Sequence, residues 1–320
     1  MPVVQTELDG QGLKSALIAA KAQLEQHIDE VNALNVFPVP DGDTGINMFL
    51  TTESAVEAME KAQDMSAAAI CASAARGALL GARGNSGVIL SQILRGIARG
   101  IGERKSFSSP DFAYALRVGS EEAYKVVASP VEGTILTVIR EASEAASKTA
   151  ERGVGFAHTM MSVVARAKKT VERTPEMLPV LKEAGVVDAG AKGLYYVFEG
   201  MKNSICRKPA HRPARKSSGR VRRSKEKERV YGFDVQFILE GERLPFEEIR
   251  DTVVACGECP LVVGDESLIR VHVHTLNPDH VLDYARSKGT VTDVVVEDMD
   301  LQVREKTERE GSVVDNERAD

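Results

Sequence analysis

Apolar residues recur every three or four positions through most of the first two thirds of the chain. Leu13, Ala16, Leu17, Ala20, Leu24, Ile28 and Val31 form one such stripe, the spacing that places side chains on one face of a helix. Similar stretches run over 67–80, 88–101, 112–127, 135–150, 156–171 and 194–206. Gly- or Pro-bearing breaks separate them, at 38–45, 81–87, 129–133, 153–155, 174–175 and 185–193. The pattern predicts an all-α antiparallel bundle or barrel of about eight helices.

Beyond residue 230 the period shifts to two. Residues 230–239 alternate like a strand, and 245–256 read as a helix opening on Pro245 with Glu247 and Glu248 in its first turn. Strands over 260–263 and 268–274 flank the turn Gly264-Asp265-Glu266-Ser267. A helix over 278–287 and a strand over 291–296 complete a β-α-β-β-α-β order. That order predicts a four-stranded antiparallel sheet with two helices on one face. The expected division is therefore a helical domain over 8–205, a linker over 206–229, an α+β domain over 230–300 and a charged, frayed tail over 301–320.

The segment 207–229 carries eleven Lys/Arg against two Glu and almost nothing apolar. It reads as a solvated, self-repelling spacer, with a contact to anionic lipid or RNA as the sharper alternative. Over the whole chain the net charge is only −6, so nucleic acid is not favoured as a partner. No run approaches the ~18 apolar residues that a membrane span requires. Aromatic residues make up 5% and Trp is absent, which leaves Ala, Leu, Val and Ile to pack the helices. Residues 1–10 hold acids and no basic stretch, so no signal peptide is expected. Cys71, Cys206, Cys256 and Cys259 are too few and too unevenly placed for a secreted disulfide framework. Reduced thiols and a cytoplasmic location are expected.

The stretch NVFPVPDGDTGINM over 35–48 is the most informative. Gly42 separates Asp41 and Asp43, and two carboxylates so close repel unless a cation or donors neutralise them. Such hard oxygens suit Mg²⁺. Thr44 and Asn47 follow at a helix start, where N–H groups favour an anion. The plainer alternative is an acidic turn in which Asp43 caps the helix. In GARGNSG over 81–87, Gly84 and Gly87 permit close backbone approach, and Asn85 and Ser86 enter the next helix. This is not a Walker A loop, since no Gly-Lys-Ser/Thr follows. Thr134 and Asp188 open two further helices after Gly- or Pro-bearing turns, each readable as an ordinary cap. Together these loops would build one anion and metal pocket at one end of the bundle.

In the second domain, His272 and His274 stand at i and i+2 on one strand face. With Cys256 and Cys259 close in sequence, the residue types suit Zn²⁺, though a polar strand face is the plain alternative.

NVFPVPDGDTG, GARGNSGV, Gly133-Thr134 and AGVVDAGAKGL resemble the nucleotide-binding (DhaL-type) subunit of dihydroxyacetone kinase, and most of all the kinase subunit of bacterial fatty acid kinase. The resemblance implies an eight-helix antiparallel barrel with ATP at one end and two Mg²⁺ on Asp41 and Asp43. It puts Thr44, Asn47, Gly84, Asn85, Ser86, Gly87, Thr134 and Asp188 near the nucleotide. A third upstream aspartate of the dihydroxyacetone kinase subunits is replaced here, and Asn35 is the candidate oxygen in its stead. The stretch over 231–285 resembles the middle domain of the kinase subunits of fatty acid kinase. There a first-strand Cys joins the His pair on a metal; Asp234 stands at that position here, giving an Asp234/His272/His274 site with Cys256 or Cys259 as a rescuing thiolate.

The implied function is a two-component kinase that passes the ATP γ-phosphoryl group to a fatty acid on a DegV-type carrier protein. Dihydroxyacetone as acceptor and a non-catalytic ATP- or metal-sensing module are the alternatives. The resembling kinases continue into a partner-binding domain, so a separately encoded domain is a further expected partner, and a homodimer is left open.

Overall fold

A computed structural model describes residues 7–206 and 230–316, with side chains as far as Thr307. The basic segment expected to be a linker lies outside the described residues. The first part holds ten helices among the described residues. These are α1 (Gly10–Glu25), α2 (Ile28–Ala33), α3 (Thr44–Glu60), α4 (Ala67–Leu80), α5 (Gly84–Ile101), α6 (Ser109–Val126), α7 (Ile135–Ala150), α8 (Phe156–Met177), α9 (Pro179–Ala184) and α10 (Ala189–Ile205). Leaving out the six-residue α2 and α9, eight long helices remain. In the order α1, α3, α4, α5, α6, α7, α8, α10 each packs on the next, and α10 returns to α1, so the ring is closed. The expected helical barrel is what forms.

Small residues let the ring close tightly. A Cβ on Gly96 of α5 would lie 2.5 Å from the Gly119 Cα of α6, and one on Gly200 of α10 would lie 2.5 Å from the Ala19 carbonyl of α1. The interior is filled by Leu24, Met48, Met59, Ile70, Leu90, Ile139 and their neighbours, all fully buried. Each such side chain contributes about 1.5–3 kcal/mol on burial. Phe107, Phe112 and Phe156 stack at one end of this core. A feature that the sequence pattern does not predict is a two-stranded ribbon, β1 (Glu7–Asp9) against β2 (Ser106–Ser108). At three residues each, these strands are too short to show a period of two.

The second part contains β3 (Phe233–Glu240), α11 (Phe246–Cys256), β4 (Glu258–Gly264), β5 (Leu268–Thr275), α12 (Pro278–Lys288) and β6 (Thr290–Asp298). The sheet order is β4-β5-β3-β6, antiparallel throughout, as the split-βαβ pattern predicts. Alternation sorts the strand residues. Val235, Phe237, Leu239, Val271 and Val273 share one core with Ile249 and Val253 of α11 and Val281 of α12. The opposite face turns toward the helical ring, where Leu261 and Val263 pack on Ala82 and Val88. Asp234, Gln236, Arg270, His272 and His274 occupy that second face and are buried despite their polarity.

The tail departs from expectation. Rather than fraying from residue 301, it forms α13 (Met299–Asn316). Met299 is buried, the Leu301 N–H donates to Asp298 Oδ1, and Asp300 accepts from the Tyr231 and Gly232 amides. Lys306 then reaches the helical domain, donating to the Asn35 carbonyl at 2.8 Å. Such contacts stabilise a helix that has no apolar stripe of its own.

Candidate active site

Every second helix of the ring begins at the same end. Thr44 of α3 and Gly84 of α5 line one small cavity. It is continuous, through Phe37, Pro38, Asn85 and Ser86, with a larger one of about 250 Å³ lined by the starts of α7 and α10, at Thr134, Ile135, Asp188 and Gly190. A Cβ on Gly190 would come within 3.7 Å of Ser86 Oγ, which shows how closely α5 and α10 begin. Four helix N-termini thus converge, each with unpaired backbone N–H groups and a positive dipole end.

Asp41 and Asp43 sit in the smaller cavity with Asn47, Asn85 and Ser86. Asp43 occupies the N-cap position of α3, yet its side chain makes no capping hydrogen bond. Asn32 does that work from a distance, its Oδ1 accepting from the Gly45 and Ile46 amides at 2.7 and 3.2 Å. The plain capping reading of Asp43 therefore fails, and so does the expectation that free N–H groups at this helix start attract an anion. The Asp43 carboxyl instead interacts with Asp41 and the Asn47 side chain. Burial, with Asp43 beside it, pushes the Asp41 carboxyl up to about 8, and burial raises Asp43 as well. Two buried carboxyls in mutual contact fit a divalent cation, which would remove the repulsion that now favours their protonated forms. The Asn35 side-chain nitrogen, rather than its oxygen, faces Asp41 Oδ1.

The glycine loop meets the pair closely. Gly84 has φ of 56°, and a Cβ there would lie 2.4 Å from Asn47 Nδ2, so only glycine fits. Gly87 is similarly pressed on Thr51 Oγ1, at 2.3 Å from its would-be Cβ. Thr134 caps α7 and donates to the Val131 carbonyl, so its hydroxyl is engaged at the cavity edge. Asp188 caps α10 through the Ala191 amide at 2.7 Å, and burial pushes its carboxyl up to about 7.

Asp234, His272 and His274 line the same cavity as Asp41 and Asp43. The two sites read separately in the sequence are one. Ligand atoms of the three residues lie within 4.8 Å of one another. Asp234 Oδ1 and His272 Nδ1 are 3.0 Å apart without hydrogen-bond geometry, and both atoms, with His272 Nε2, are buried and unsatisfied. Burial alone would raise Asp234, but the two imidazoles and the Gln236 amide hold it below the usual carboxylate range. Burial pushes His274 down to about 4. A buried carboxylate, two imidazoles and three orphaned atoms fit Zn²⁺. Neither cysteine joins this group among the described residues. Cys256 ends α11, and Cys259, with φ of 50° in the irregular stretch before Leu261 regains register, lines the larger cavity instead.

Several residues here carry no motif in the sequence. Gln236 and Arg270 contact the glycine loop, Glu297 pairs in register with Asp234, and Lys306 depresses Asp41 against its burial. The available sign was alternation: Asp234 and Gln236, and Arg270, His272 and His274, each repeat polar residues at i and i+2 in strands otherwise apolar.

The chain is 38% identical to Protein YloV of Bacillus subtilis (strain 168), over 97% of this chain and 59% of that protein. It is 35% identical to an uncharacterized protein of Staphylococcus aureus (strain USA300), over 95% of this chain and 58% of that one. It thus spans less than two thirds of the length of these curated relatives. The crystal structure of the dihydroxyacetone kinase of C. freundii overlays with a TM-score of 0.46 at 17% identity, covering 64% of this chain and 36% of that one. Among the described residues no helix is long and apolar enough to cross a membrane. Residues 230–306, which carry Asp234 and both histidines, match the FakA-like middle domain of fatty acid kinase. Residues 38–203, more than half of the chain and the part that carries the aspartate pair and all four convergent helix starts, match the DAK2 domain, and the chain belongs to that kinase-subunit family.

Proposed function

We propose that this chain is the ATP- and Mg²⁺-dependent kinase subunit of a two-component system, transferring the γ-phosphoryl group of ATP to a fatty acid presented by a DegV-type carrier. The observation that carries this reading is the buried Asp41–Asp43 pair in one cleft with the first turn of α5. Asp41 and Asp43 would hold two Mg²⁺, and Asp234, His272 and His274 would hold Zn²⁺. When bound, these ions supply Lewis-acid neutralisation of phosphate charge.

The chain's own groups do the rest. The Asn85 and Ser86 N–H groups, in the first turn of α5, donate to phosphate oxygens and orient them. Phe37, Ile89, Leu136 and Leu261 form the apolar wall against which the base rests. A fatty acid carboxylate is already ionised near neutral pH. Its oxygen bonds to the γ-phosphorus as the bond from that phosphorus to the β–γ bridging oxygen breaks, giving an acyl phosphate and ADP without a general base. A hydroxyl acceptor such as dihydroxyacetone would need a base, and His274, kept neutral by burial, is the group positioned for it.

The test is Mg-ATP turnover with a fatty-acid-loaded DegV-type carrier, with the empty carrier, and with dihydroxyacetone. Acyl phosphate formed only with the loaded carrier is the expected result. Phosphorylated dihydroxyacetone would move the assignment to glycerone kinase. Tight Mg-ATP binding with no transfer to either acceptor would favour the sensing module.

A further inference from the structure

Four consecutive residues of the glycine loop are gripped by the sheet of the α+β domain. The Ala82 carbonyl accepts from Arg270 Nη2 at 2.6 Å. Arg83 makes a two-pronged pair with Asp293, at 3.1 and 3.2 Å, and Asp293 also receives Arg270 Nη1. The Gly84 N–H donates to Gln236 Oε1 at 3.0 Å. Asn85 Nδ2 approaches His274 Nε2 at 3.4 Å. Arg270 is fully buried and Gln236 is 2% exposed, so water does not compete for these contacts and they carry more weight than surface pairs.

Gln236 uses both ends of its amide. While Oε1 takes the Gly84 N–H, Nε2 donates to Asp234 Oδ2 at 2.7 Å. That leaves Asp234 Oδ1 as the oxygen facing His272. A partner behind a metal-binding carboxylate fixes which oxygen points inward and at what angle. At the other end, filling the first N–H of α5 leaves those of Asn85 and Ser86 as the helix-start donors that face the cavity.

We infer that Gln236 is a positioning residue that joins the Asp234/His272/His274 cluster to the glycine loop, so that a metal ion on the sheet sets the conformation of the loop that receives phosphate. The roles of loop and cluster rest on the function proposed above; the joint itself rests on the contacts. One amide cannot shift at Asp234 without shifting at Gly84.

Hydrogen exchange of the intact chain, read on the peptide spanning 82–87, tests this. Gln236→Leu removes both contacts. Gln236→Glu keeps an oxygen acceptor toward Gly84 but has no N–H for Asp234. Without ligands, the loop of Gln236→Leu is expected to exchange about fivefold faster than wild type, the worth of one neutral hydrogen bond. Gln236→Glu should restore wild-type loop protection, and peptides from α7 and α10 should not change in either variant. With Zn²⁺ alone as probe, the wild-type loop should slow further and neither variant loop should respond. Zn²⁺ affinity measured in parallel by chelator competition separates the two readings. Absence of Zn²⁺ binding in the wild type sinks the metal assignment and leaves the ligand-free comparison to decide the joint. Zn²⁺ that binds without slowing the loop overturns the coupling. Wild-type protection in Gln236→Leu, or equal loss in both variants, overturns the positioning role.

Discussion

Asp188 is a fully buried acid that caps a helix start and lines the larger cavity. Its carboxyl sits near 7 in the folded chain, against an ordinary value of about 3.9. The fold therefore favours its protonated form. The stability this group contributes is fully present below about pH 4 and is lost as pH rises through about 7. Asp188→Asn keeps an oxygen for the Ala191 amide and cannot ionise. Thermal melts of metal-free protein should show the variant level with wild type at pH 4 and more stable at pH 8; a constant offset across that range would refute the buried-acid assignment. Asp41 and Asp43 differ in consequence, because their burial serves a cation. Asp41→Asn or Asp43→Asn should weaken Mg-ADP binding by about 10–100-fold, the worth of one buried charged contact, while circular dichroism stays helical. Calorimetric titration that returned the wild-type affinity would remove the metal site. The aspartate loop was legible because its chemistry is local: two acids flank a glycine between prolines and a helix start. Gln236 and Arg270 were not, because a polar residue on a strand reads as solvent-facing until the element covering it is known.

At the scale of elements, the crossing of α5 over α6 depends on glycine. A Cβ on Gly96 would lie 2.5 Å from Gly119 Cα and 2.7 Å from the Val118 carbonyl, both backbone atoms that cannot step aside alone. Gly96→Ala should cost about 1–3 kcal/mol as the helices are forced apart, read as a lowered denaturant midpoint. Gly153, with φ of 67° and nothing within 4 Å of its would-be Cβ, is the comparison, since Gly153→Ala pays only the ~1–2 kcal/mol of a left-handed residue. Equal, negligible losses would argue against the close crossing. The ring helices were readable from periodicity because each buries one stripe, and β3 to β6 because their lengths show alternation. The α13 helix was not readable. Its supports are tertiary: Asp298 and Asp300 bond to backbone amides, and Lys306 reaches Asn35 across the whole fold. No local pattern announces contacts of that range. The Asn32 cap on α3 escaped for a related reason, since it comes from 13 residues before the amide it serves.

For the whole molecule, the larger cavity is a joint product of both domains. Asn85, Thr134 and Asp188 come from the helical ring, whereas Cys259, Pro260 and Leu261 close the opposite side from β4. The direct apolar contact between the domains is small, centred on Ala82, Val88, Leu261 and Val263. An interface so limited derives much of its strength from whatever fills the cavity beside it. A nucleotide that touches both walls binds the docked arrangement better than the undocked one, and linkage makes the effect reciprocal: nucleotide strengthens docking by the factor that docking strengthens nucleotide. Leu261→Asp places a charge in that contact, 2% exposed in the wild type, while leaving the helical ring and the α11–α12 core untouched. It should lower Mg-ADP affinity by tenfold or more, about 1.4 kcal/mol. Mg-ADP should slow hydrogen exchange in β4 and β5 of the wild type and have no effect there in the variant. If Leu261→Asp binds Mg-ADP as wild type does, the helical ring holds the nucleotide by itself and the sheet is a neighbour of the site, not its second wall.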